Sequence, residues 1–76
     1  MRKVSVWLRE GVPQAFRSGE QTVVVTAILD CWRESGEWWN LTPEIWVWRV
    51  QCDNQGIYEL ACHPLQNQWW IARIYD

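Results

Sequence analysis

With 76 residues, nine acidic against seven basic side chains and a formal net charge of −2, the chain has room for one domain, residues 1–76, and no second core. It lacks the strongly basic field of a phosphate-backbone binder. No run approaches the roughly 18 to 20 apolar residues of a membrane span, and the N-terminus has no apolar signal-peptide core, so a cytoplasmic protein is expected.

Eight tryptophans stand in this short chain, several close together: Trp38-Trp39, Trp46 with Trp48, and Trp69-Trp70. Each ring buries about 150 to 250 Å² when packed, worth on the order of 4 to 6 kcal/mol of gross burial at about 25 cal/mol per Å². A small domain covers only about 60 per cent of its unfolded surface, and such rings let it build a core without staples. Adjacent residues on a strand nevertheless point to opposite faces. Both rings of Trp38-Trp39 or Trp69-Trp70 therefore cannot enter one core, and some aromatic surface must meet something else.

Period-two alternation begins at once, with Val4, Val6 and Leu8 on one face and Lys3, Ser5 and Trp7 on the other. Gly11-Val12-Pro13 is expected to break this strand, and Ser18-Gly19 to turn a hairpin after Ala15-Phe16. From Gln21 to Arg33 the pattern admits strand or helix. The β-branched run Thr22-Val23-Val24-Val25-Thr26 and the missing N-cap before Ala27 favour a long bent strand. Ser35-Gly36 reads as a tight turn into Glu37-Trp38-Trp39.

Pro43 lies in the next connection, where a missing N–H does no harm. Ile45 to Cys52 is the clearest strand, with Trp46, Trp48 and Val50 sharing one face and Ile45, Val47 and Arg49 the other. Asp53-Asn54-Gln55-Gly56 has hairpin-turn chemistry, Ile57 to Cys62 follows, and Leu65 to Gln68 turns into Trp69 to Tyr75. Five or six short, mostly antiparallel strands predict an all-β fold, a small SH3-like or split β-barrel. Closure would also remove aromatic strand edges that invite aggregation.

Read in order, Cys31-Trp32-Arg33-Glu34-Ser35-Gly36-Glu37-Trp38-Trp39, then Trp48-Arg49-Val50, Gly56-Ile57-Tyr58-Glu59-Leu60 and Trp69-Trp70-Ile71-Ala72-Arg73-Ile74-Tyr75-Asp76 resemble a small bacterial domain family of unknown function. Its pattern runs roughly WRxxGxWW, a YWRV-like strand, GxxYEL and a terminal WxLxRxYD. The likeness spans residue 31 to the end; the N-terminal third is poorer in arginine and aromatic residues than the pattern. In the family it resembles, the domain is often encoded near error-prone Y-family DNA polymerases and is similar to the C-terminal segment of a polymerase-like protein of bacterial translesion mutasomes. The resemblance implies an accessory role in DNA damage tolerance. It brings no chemistry with it.

Catalysis needs a nucleophile, a base and an orienting group in reach of one another. The single histidine, His63, sits between Cys62 and Pro64 at a strand end and reads as an exposed turn residue, while the carboxylates Glu34, Glu37, Glu44 and Glu59 are scattered. Cys31, Cys52 and Cys62, odd in number and without CxxC, suit reduced core thiols. With His63 they are zinc-ligand types, yet Cys62 and His63 are adjacent and diverge on a strand. No enzyme, cofactor or metal is expected.

The remaining signal is tryptophan beside arginine: Trp32-Arg33, Trp48-Arg49, and Trp70 with Arg73 and Tyr75. The plainest reading stacks each arginine on a neighbouring ring and pairs it with Glu34 or Glu59 across strands. The functional reading is a contact face rich in interface hot-spot residue types, with Trp7, Trp38, Trp46 and Arg49 as its expected members. Two alternatives carry weight beside a protein partner, which would be polymerase-associated by the resemblance. One is single-stranded nucleic acid stacked on the rings; the other is a homo-oligomer that covers them. SH3 domains also carry a tryptophan pair at a sheet corner, like Trp38-Trp39, but their acidic, tyrosine-rich loop has no counterpart here, so that analogy is one of fold alone.

Overall fold

The structure is a computed structural model that describes residues 2–34, 44–63 and 67–75. Six strands follow one another: β1 (Arg2–Arg9), β2 (Val12–Ser18), β3 (Gln21–Glu34), β4 (Ile45–Cys52), β5 (Ile57–His63) and β6 (Gln68–Tyr75). Each pairs antiparallel with the next, and β6 returns to β1, so the sheet closes into a barrel. The fold is the small antiparallel barrel the alternation predicts, with no helix among the described residues. Trp38, Trp39 and the turn expected at Ser35-Gly36 lie outside the described residues.

Turn chemistry sets the hairpins. Glu10 and Gly11 both have positive φ (53° and 78°), the signature of a two-residue type I′ turn whose twist matches that of the strands. The break expected at Gly11-Val12-Pro13 is therefore a tight hairpin, and Val12 and Pro13 belong to β2. Proline is tolerated there because β2 pairs with β3 only from Ala15 onward and its register with β1 shifts beside Leu8↔Pro13. The second turn carries positive φ at Gly19 (63°) but not at Glu20, as a type II′ turn does. In the third, Gln55 N–H donates to the Cys52 carbonyl at 2.9 Å and Asp53 N–H to the Val24 carbonyl at 2.9 Å. That second bond fastens the β4–β5 turn to β3.

The ambiguous segment is a strand throughout. Its alternation is interrupted because the register against β4 skips a residue twice, at Thr26 (between Val25↔Cys52 and Ala27↔Gln51) and at Leu29 (between Ile28↔Val50 and Asp30↔Arg49). Each bulge bends the strand and adds twist, which lets one long strand serve both halves of the barrel.

Inward residues fill the interior: Phe16, Val23, Val50, Cys52, Leu60, Cys62, Trp69 and Ile71, with Val4, Val6, Val25, Trp48 and Tyr58 packed against them. Closure is uneven. The β2–β3 ladder ends at Ala15↔Val24 and the β1–β6 ladder at Val4↔Trp69. Beyond those pairs the β1–β2 hairpin and the second half of β3 are not joined by any ladder among the described residues. Among the described residues one end of the barrel is thus open.

Candidate functional site

An apolar cleft of about 460 Å³ occupies that open end, lined by Leu8, Gly11, Cys31, Trp46, Trp48, Cys62, Asn67 and Trp69. Its volume falls in the roughly 300 to 1,000 Å³ range of ordinary binding pockets, for which barrel mouths are a favoured place. Alternation explains the lining: Trp46 and Trp48 share the inward face of β4, with Cys62 opposite Trp46 and Cys31 opposite Trp48. No lysine or arginine is among these residues. Trp46, 37 per cent exposed, lies at the rim, where the Arg33 guanidinium stacks 5.7 Å from its ring centre and also reaches Glu44 at 3.7 Å.

The outer face of β3 to β6 carries a second layer. One row across the strands reads Trp32, Val47, Ala61, Trp70. Val47 and Ala61 are 2 and 0 per cent exposed although neither belongs to the interior cluster. The next row reads Asp30, Arg49, Glu59, Arg73, alternating in charge as cross-strand pairs prefer. At its centre Glu59 Oε2 accepts bonds from Arg49 Nη2 at 3.1 Å, Arg49 Nε at 3.3 Å and the Tyr75 hydroxyl. The Arg49 guanidinium is also stacked 5.1 Å from the Trp32 ring centre and 5.6 Å from that of Tyr75. Burial pushes the Glu59 carboxyl up, but the hydrogen bonds from Tyr75 and Arg49 and the charges of Arg49 and Arg73 outweigh it and hold the group below the ordinary glutamate value.

The expected contact residues do not gather on one surface. Trp46 borders the cleft. Trp7, 51 per cent exposed, points outward in a different row, with Ala15 and Val24 beside it across β1 to β3. Arg49 is committed to Glu59 and two rings, and Trp38 lies outside the described residues. Leu8, Trp48 and Trp69 belong to the cleft but carry no sequence mark beyond inward alternation. His63 is not the exposed turn residue expected: it ends β5 half-buried, its ring 4.9 Å from that of Trp70, with Nδ1 buried and without a hydrogen-bond partner among the described residues. The strand runs through His63, so the ring packs on the sheet.

All three thiols are unpaired, and no three His, Cys, Asp or Glu side chains among the described residues converge where they could hold a metal ion. Burial, helped by Asp53, pushes the Cys52 thiol up to about 11, and burial raises Cys31 and Cys62. Because the thiolate is the reactive form, a native-state alkylation course at pH 8 should modify half-exposed Cys31 first. Cys62 and Cys52 should react only on unfolding, an order read by peptide mass mapping.

These features define a small closed antiparallel β-barrel domain with an apolar mouth at one end and a charged aromatic layer outside. The model of one family, described as Domain of unknown function (DUF6504), matches residues 3–76, and the chain belongs to that family. No curated protein and no solved structure matches the chain.

Proposed function

We propose that this domain is a non-catalytic protein-interaction module that receives a segment of a partner at the open end of its barrel. The observation that carries this reading is the apolar cleft bounded by Leu8, Trp46, Trp48 and Trp69. Aromatic walls give large contact area at small entropic cost and are the usual anchors of protein interfaces. Stacked bases would need the same rings beside cations that neutralise the phosphates; among the described residues the cleft lining has none, Arg33 at its rim is already paired with Glu44, and the chain is net negative. The resemblance to a segment of a translesion polymerase-like protein supports a cytoplasmic accessory role in DNA damage tolerance, with a polymerase-associated protein as partner.

The test is to pan a displayed library of random nine-residue segments against the intact chain, with Trp46→Ala as counter-screen. Removing an interface tryptophan costs on the order of 2 kcal/mol, so selected segments should bind the variant at least about tenfold more weakly while its urea midpoint stays near that of the natural chain. Binding indifferent to Trp46→Ala, or no selected segment at all, would overturn the reading, and a salt-dependent fluorescence quench by single-stranded oligonucleotide would then favour stacked bases.

A further inference from the structure

β3 pairs with β2 only over Gln21 to Val24. From Val25 to Glu34 its other edge has no strand partner among the described residues, although its β4 side is paired down to Glu34↔Ile45. Bulges at Thr26 and Leu29 twist the first part of that edge, a known protection against strand addition. After them the register runs unbroken from Asp30↔Arg49 through Cys31↔Trp48, Trp32↔Val47 and Arg33↔Trp46 to Glu34↔Ile45.

This stretch has neither a bulge nor a proline, and its charged side chains are the protection that remains. Across the opening, the facing part of β2 holds Pro13, which cannot donate to a ladder, whereas β3 contains no proline. The Cys31 N–H donates to the Asp30 side chain at 2.8 Å, a local bond of the kind that satisfies an amide when no neighbouring strand does. Cys31 also lines the cleft, so an added strand would lie along its rim.

The side chains specify the occupant. On the outer face the stretch presents Asp30, Trp32 and Glu34, and neither carboxylate has a cationic partner among the described residues, since Arg33 is with Glu44 and Arg49 with Glu59. On the inner face it presents Cys31 and Arg33, beside Trp48 and Trp46. A second copy fits poorly. Antiparallel self-pairing of 30–34 over its length sets Asp30 against Glu34 twice, and like charges directly opposite are destabilising.

We propose that this edge is a strand-addition site for an extended segment of another protein, patterned basic, apolar, any, apolar, basic. The proposal rests on the interaction reading above and adds its binding mode and partner class. The two Lys or Arg residues, four apart, stand opposite Asp30 and Glu34, whose carboxylates attract them although Glu34 also accepts from Trp32 Nε1 at 3.0 Å. The two apolar residues between them turn toward the cleft, and the backbone ladder supplies affinity that does not depend on their identity.

The library described above imposes no pattern, so the sequences it yields are informative. Enriched segments should carry the two basic residues at this spacing. On binding, the amide exchange of Cys31 and Arg33, followed by NMR, should slow at least about tenfold. The double reversal Asp30→Lys with Glu34→Lys should weaken a selected peptide about tenfold, and a peptide with both basic residues changed to Glu should recover the loss. Segments that bind through Trp46 yet lack the basic pair, or leave both amides exchanging freely, overturn strand addition while sparing the interaction reading. Failure to enrich any segment overturns both.

Discussion

Phe16→Ala is expected to lose about 3 to 5 kcal/mol, the range for truncating a buried phenylalanine, and to bring the domain near its unfolding threshold at room temperature. Phe16 is fully buried in the middle of β2, between Val6 of β1 and Val23 of β3 in register. Its ring meets Tyr58 from the opposite wall edge-on, at 5.1 Å between centres and 70° between planes. Such a pair contributes about 0.5 to 1.5 kcal/mol beyond area burial. Against this, a domain of this length holds roughly 0.05 to 0.15 kcal/mol per residue of net stability, a total on the order of 4 to 11. A barrel closed by hydrogen bonds on every strand cannot easily collapse onto the void, so relaxation should recover little. Urea denaturation followed by tryptophan fluorescence measures the loss, with exposed Trp7→Ala as a comparison expected within about 0.5 kcal/mol of the natural chain. A loss for Phe16→Ala under 1 kcal/mol would mean that the walls do close in.

Alternation made most of this fold legible. Where pairing is regular, as from Ile45 to Cys52, the period-two pattern marks the strand, and the inward set Trp48, Val50, Cys52 is the one found in the interior. Where the register skips, at Thr26 and Leu29, the pattern loses phase and resembles a helix, because a bulge places two residues opposite one. The hairpin at Glu10-Gly11 is harder to see since Glu10, not a residue that favours positive φ, occupies the first left-handed position.

The site was legible only in its residue types. Trp46 and Trp48 are visible as one face, but which rings border a cleft depends on where two ladders stop, at Ala15↔Val24 and Val4↔Trp69, and no local pattern encodes that. Arg49 illustrates the opposite case. An arginine beside aromatic residues has the composition of a contact face, yet its partners Trp32, Glu59 and Tyr75 come from three other strands. Adjacency misassigns the ring as well: Trp48 turns inward, so Arg49 stacks on Trp32, and Trp46 receives Arg33. Buried Val47 and Ala61 on the outer face show why these strands are apolar on both sides.

That outer layer makes Glu59 the polar group on which stability should depend most. It is 8 per cent exposed, and one oxygen accepts from both Arg49 and Tyr75. Removing one member of a buried ion pair costs about 3 to 5 kcal/mol; Arg49 is partly exposed and can rehydrate, so Glu59→Ala should lose less, about 2 to 3. Glu59→Gln keeps the shape and gives up the charge, which should cost about 1 to 2 kcal/mol at pH 7 because bonds to charged partners are the stronger ones. The pH dependence follows from the lowered value of the native carboxyl. In the unfolded chain the group titrates near about 4.3, so its contribution is fully present above that pH and is lost as pH falls through the lower native value. The gap between the natural chain and Glu59→Gln should therefore be widest at pH 7 and close in acid, as urea midpoints at pH 7, 5, 4 and 3 would record. Because glutamine keeps the shape, a gap that persists at pH 3 would mean that Arg49, Arg73 and Tyr75 still hold the native carboxyl ionised at that pH, so that the loss lies further into acid.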